Sequence, residues 1–198
     1  NGFQTTFEWI ELYNSSNNDT LDVKGWYLRT DINQSLSNPI WGDDEIVAWE
    51  TRNPGTSPYD INQNKIGVVT TTTKIPPGKF AIILDPTHNS LGYGVYDFPD
   101  SAIIFTIKTY TNFGSDYQFG VNNNVINNGL LYNSEDIVML YNGSPAVSQS
   151  ILIDSVSWKG NAQTQGYSLQ RDNDCTFRWY SSAMYKNTGG YEKDDDNS

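Results

Sequence analysis

Short runs rich in Ile, Val, Phe, Tyr and Trp recur along this chain, and clusters of Asn, Gly, Pro or Ser separate them. That punctuation constrains the fold more than any other feature. The runs at 7–13, 25–28, 45–49, 66–70, 80–84, 102–106, 136–141, 151–158 and 167–169 read as short strands, and many short strands with turn signals between them predict a sandwich or barrel. The turn clusters have identifiable chemistry. Asn14-Ser-Ser-Asn-Asn-Asp19, Pro76-Pro-Gly78, Asn122-Asn-Asn124, Asn127-Asn-Gly129 and Asn142-Gly143 carry residues that tolerate positive φ, and the last predicts a hairpin. No window holds apolar residues at helical spacing, and the run from Thr70 to Thr73 opposes helix through its branched Cβ atoms. The expected fold class is all-β, a β-sandwich.

A chain of 198 residues can bury one good core, so a single domain is expected over 1–190, followed by an acidic tail at 191–198. Two stretches, about 31–66 and 85–130, are too long for ordinary connections and read as insertions. Long loops on a rigid scaffold are where binding groups gather. The insertions carry Trp41, Trp49, Tyr59, Tyr93, Tyr96, Tyr110 and Tyr117, the first six of which are the candidate ligand or partner contacts. The competing expectation is that these rings pack a satellite core beneath the loops. In segment 8–13, alternation sets Ile10 and Leu12 on a packed face and Trp9, Glu11 and Tyr13 on a half-wet one. Gly25 before Trp26 predicts a bulge or close backbone approach. Trp26, Trp158 and Trp179 are expected as core anchors.

The segments Glu8-Trp-Ile-Glu-Leu-Tyr-Asn14 and Leu21-Asp-Val-Lys-Gly-Trp-Tyr-Leu28 open an ordered series. Ile75-Pro-Pro-Gly-Lys-Phe-Ala-Ile-Ile-Leu84, Asn133-Ser-Glu-Asp-Ile-Val-Met-Leu-Tyr141 and Ile153-Asp-Ser-Val-Ser-Trp158 continue it. Gly166-Tyr-Ser-Leu-Gln-Arg171 and Phe177-Arg-Trp179 close it. In this order the segments resemble the lamin-tail domain, a module of nuclear lamins that is also widespread in secreted microbial proteins. The resemblance implies an immunoglobulin-like sandwich with the insertions as additions. Members of that family begin with an apolar strand before the Glu-Trp segment, and Asn1-Gly-Phe-Gln-Thr-Thr6 is too short and polar to supply it. An open sheet edge would follow, a template for strand addition by a neighbour.

Charge excludes several partners. Lys plus Arg is 12 against Asp plus Glu at 23, a net charge of −11, and the cations are scattered singly from Lys24 to Lys193. Such a chain repels a phosphate backbone, so nucleic acid is not an expected partner. No apolar run approaches the roughly 20 residues that span a bilayer, and membrane insertion is not expected. The abundance of Asn and Tyr with little Lys fits secreted microbial surface proteins, and the expected location is extracellular or at the cell surface. The first residue is Asn1 rather than Met, which reads as a processed chain or a segment of a longer one.

Chemistry is sparse. One histidine, His88, lies in a turn with nothing to position a triad around it, and one cysteine, Cys175, cannot form an internal disulfide. Glu8, Glu11, Glu45, Glu50 and Glu135 are available to a paired-carboxylate glycoside hydrolase, but no motif joins them. Hard oxygen ligands for Ca2+ are grouped at Asp43, Asp44 and Glu45 and at Asp172 and Asp174; the competing reading is a solvated acidic loop. Sequons for N-glycosylation occur at Asn14, Asn18, Asn33 and Asn142. The resulting expectation is a non-enzymatic structural or adhesive module at a microbial surface, contacting protein or glycan and able to form homo-oligomers or filaments. The alternative is a carbohydrate-binding accessory domain of a secreted hydrolase.

Overall fold

The structure, a computed structural model, describes residues 9–31, 36–39, 41–58, 67–84, 101–108, 135–159, 167–171 and 177–181. The strands are β1 (Trp9–Tyr13), β2 (Leu21–Asp22), β3 (Tyr27–Asp31), β4 (Trp41–Ala48), β5 (Val68–Val69), β6 (Lys74–Ile75), β7 (Phe80–Leu84), β8 (Ile103–Ile107), β9 (Glu135–Tyr141), β10 (Leu152–Lys159), β11 (Tyr167–Arg171) and β12 (Phe177–Ser181). One helical turn, α1 (Trp49–Arg52), follows β4. The fold is all-β, as the turn-punctuated runs predict.

One sheet runs in the order β1-β7-β8-β4-β3-β9-β10, with β5 alongside β8. β4 joins its two halves. The first residues of β4 pair with β3, from Asp31 opposite Trp41 to Tyr27 opposite Glu45. Its last three pair with β8, Ile46 opposite Ile107 through Ala48 opposite Phe105. A strand that changes partners in this way turns a corner, and the sheet curls into a sandwich. The inner sides of both halves share one core. Leu28, Ile46, Ala81, Ile83, Phe105, Ile107 and Val138 meet there with Val23 and Ile75 from the small β2–β6 pair, and Trp26, Val156 and Trp158 pack at its margin. Fully burying one such side chain contributes about 2 kcal/mol.

β7 and β8 do not alternate, and the reason is a second core on their other side. Trp49, Ile82, Leu84, Ala102 and Ile104 form it, with Trp9 and Val69 against it. Strands covered on both faces read as continuous apolar runs, which is what Phe-Ala-Ile-Ile-Leu and Ile-Ile-Phe-Thr-Ile are. The β7–β8 pairing is parallel. A parallel neighbour cannot be joined by a tight hairpin turn, so β7 and β8 are not a hairpin. The stretches 31–66 and 85–130 supply two central strands, β4 and β8, in addition to loop.

Several expectations are corrected here. The run expected at 45–49 is a strand from Trp41 to Ala48, and helical turn α1 follows it, made by a segment without helical periodicity. The Val23–Trp26 segment is a tight turn closed by the Trp26 N–H on the Val23 carbonyl, with Gly25 at φ +73°. A Cβ at Gly25 would meet nothing within 4 Å, so neither a bulge nor a close approach is present. The hairpin expected at Asn142-Gly143 is present: β9 and β10 pair antiparallel, and their connection from Asn142 to Ile151 is closed by the Asn142 N–H on the Ile151 carbonyl. The short strands β2 and β6 and the β12 partner of β11 escape a reading based on apolar runs.

Candidate functional site

Strand alternation places three sets of side chains on the outer face of β4, β3 and β9. Trp41, Asp43 and Glu45 come from β4, Tyr27 and Arg29 from β3, and Met139 and Tyr141 from β9. Arg29 is at the centre. Its Nε donates to Asp43 Oδ1 at 2.6 Å and its Nη2 to Oδ2 at 2.8 Å, a two-point ion pair across the strands. The guanidinium lies 5.9 Å from the Trp41 ring centre and 5.6 Å from that of Tyr141. Two rings thus flank one cation whose charge is already met by a carboxylate. Trp41 keeps 37% of its surface exposed.

The flanks of this face are also charge-paired. Lys108 Nζ meets Glu45 Oε2 at 2.7 Å, and Lys159 Nζ meets Glu135 Oε2 at 3.2 Å. Arg29, Tyr27 and Tyr141 were not among the sequence candidates. The alternations Tyr27-x-Arg29 and Trp41-x-Asp43-x-Glu45 carry the signal that would have found them.

The expected Ca2+ cluster at Asp43, Asp44 and Glu45 is corrected. Successive residues of a strand point to opposite faces, and Asp44 is buried inward while Asp43 and Glu45 point outward to Arg29 and Lys108. Among the described residues no group of three acidic, His or Cys side chains could hold a metal ion. Asp172 and Asp174, His88 and Cys175 lie outside the described residues, as do Glu8, Asn33, Tyr59, Tyr93, Tyr96, Tyr110 and Tyr117; of Trp179 the backbone alone is described.

Two further candidates are corrected. Trp49 is fully buried at the centre of the second core, so it anchors packing beneath α1 and cannot present a ring to a ligand. Asn14 is also buried, and its Nδ2, the atom a glycan would occupy, donates to the Asp19 and Ile75 carbonyls at 2.8 Å each. Asn14 organises a loop. Asn18 and Asn142 are exposed, and Asn142 Oδ1 accepts the Ile151 N–H at 2.8 Å.

The carboxylates offered to hydrolysis are dispersed. Glu45 and Glu135 hold lysines, Glu50 accepts the Gly55 N–H at 2.8 Å, and Glu11 lies on β1. Desolvation by the surrounding chain pushes the Glu11 carboxyl up to about 7, although the residue itself remains at the surface.

A different surface lies at the end of the sheet path. Val147, Ile151, Leu152 and Ile153 expose 54%, 60%, 46% and 47% of their surface, beside the register shift between Leu152 and Asp154 in β10. At the opposite end, Tyr13 and Phe80 stack across β1 and β7 with ring centres 4.6 Å apart, both exposed. No family model, curated protein or solved structure matches the chain.

Proposed function

We propose that this chain is a non-enzymatic, extracellular structural or adhesive module of a microbial surface, assembling with a second copy of itself through the apolar end of β10. The observation that carries the reading is the exposure of Val147, Ile151, Leu152 and Ile153 within one short stretch of chain that leads into β10. Single exposed aliphatic residues need no explanation, but four exposed within one short stretch point to a contact. Burying it against the same patch of another copy would make an isologous, two-fold contact.

The proposal includes membership in the secreted microbial branch of lamin-tail, immunoglobulin-like domains. In its support, the quoted segments fall on β1, on β2 and β3, on β6 and β7, on β9, on β10, and on the antiparallel β11–β12 pair. The non-enzymatic part is supported by the separate engagement of Glu45, Glu50 and Glu135.

Light scattering after size exclusion, over a wide protein concentration range, tests the reading. Association that rises with concentration and is abolished by Ile153→Lys is expected. A monomer at every concentration overturns it.

A further inference from the structure

The outer face of β4, β3 and β9 has a combination that assembly through β10 does not use. We propose that it binds a neutral polysaccharide, with Trp41 as the stacking surface and the Arg29–Asp43 pair as the group that reads hydroxyls.

Charge decides the class of ligand. Three ion pairs lie along this face: Arg29 with Asp43, Lys108 with Glu45, and Lys159 with Glu135. A cation already held at two points by a carboxylate offers little net attraction to an anionic ligand. The chain as a whole, at −11, repels acidic polymers. An uncharged ligand meets neither obstacle.

Shape and hydrogen bonding then favour a sugar. The C–H face of a pyranose ring is apolar and flat enough to cover an indole, and Trp41 is exposed where such a ring can lie. Neighbouring sugar hydroxyls both donate and accept. The Arg29 and Asp43 side chains keep 19% and 17% of their surface open, and they set donors beside acceptors next to the Trp41 ring. Because Asp43 fixes the guanidinium and Trp41 and Tyr141 flank it, little side-chain freedom is lost on binding. Bonding groups already locked in place on strands make a more exact site than loop residues would.

Affinity electrophoresis of the whole chain tests this, with soluble mixed-linkage glucan, glucomannan and xyloglucan in the gel and with alginate as the anionic control. Retardation by at least one neutral polymer is expected, insensitive to moderate salt. Trp41→Ala should weaken it roughly tenfold or more, and Trp41→Tyr should restore most of it, which separates loss of the stacking ring from loss of the fold. Ile153→Lys should leave retardation unchanged even where it abolishes assembly. Absence of retardation by any neutral polymer, retardation by alginate alone, or retardation that survives Trp41→Ala overturns the proposal.

Discussion

Arg29 on β3 and Asp43 on β4 stand directly opposite one another and close a two-point ion pair at 2.6 and 2.8 Å. Both side chains are largely covered, so water screens the pair less than it would on an open surface. A double-mutant cycle with Arg29→Ala and Asp43→Ala, read by denaturant unfolding, should give a coupling of about 1 kcal/mol, at the upper end for ion pairs that keep some exposure. Arg29→Lys should recover less than half of it, because an ammonium cannot reproduce the planar fork.

Asn14 holds the end of β1 against the turn that leads into β7. Its backbone N–H donates to the Lys79 carbonyl, its carbonyl accepts the Gly78 N–H, and its side chain spans the carbonyls of Asp19 and Ile75 while Oδ1 accepts the Ser16 N–H. Asn14→Ala leaves a buried carbonyl without its donor and should cost about 1 to 3 kcal/mol in thermal or chemical unfolding. Asn14→Asp should cost more, since it sets a carboxylate against two carbonyl oxygens. In a variant that keeps Asn14 as its one sequon, deglycosidase treatment should leave the electrophoretic mobility unchanged, because the amide nitrogen is enclosed.

The all-β class and most strands were legible because their side chains are β-branched or aromatic and their ends are marked by Asn, Gly and Pro; the segment at Phe80–Leu84 coincides with its strand. What escaped follows from what a linear pattern leaves out. β2 and β6 are two residues each, stabilised by one another across a long separation in sequence, and Leu21-Asp22 and Lys74-Ile75 show no run at all. Trp49 resembled a loop aromatic because its neighbours Glu50 and Arg52 are polar, yet α1 turns that one ring under itself and onto β7 and β8. The acidic triplet at 43–45 looked like a cation cluster until its residues were set on a strand, where adjacency in sequence means opposite faces. The Arg29 centre was missed because its partners come from three strands and no spacing within one segment encodes them.

Gly67 enters β5 at φ +63° with no room for a side chain. A Cβ there would lie 2.6 Å from the Ala102 carbonyl oxygen and 2.6 Å from Ile104 Cδ1. That carbonyl accepts the Val68 N–H at 2.7 Å, so retreat of the oxygen would loosen the β5–β8 contact. Gly67→Ala should therefore destabilise by on the order of 2 to 3 kcal/mol, combining a left-handed backbone with a steric clash. Gly55, also at positive φ but with nothing within 4 Å, is the control: Gly55→Ala carries the backbone strain without the clash and should lower the melting temperature less.

Glu11 makes stability depend on pH in a definite direction. It lies on β1 opposite Ile82, between Trp9 and Tyr13, and desolvation raises its pKa from 4.5 to about 7. The folded chain therefore holds this proton more tightly than the unfolded chain does. Between about 4.5 and 7 the unfolded state has lost the proton while the folded state retains it, so stability from this group is full below the lower value and is lost as pH rises through the upper one. Glu11→Gln fixes the neutral form at every pH. Its melting temperature should match that of the wild type near pH 4 and exceed it increasingly up to about pH 8. Equal melting temperatures at pH 8 would mean that the carboxyl ionises on β1 as easily as it does in water.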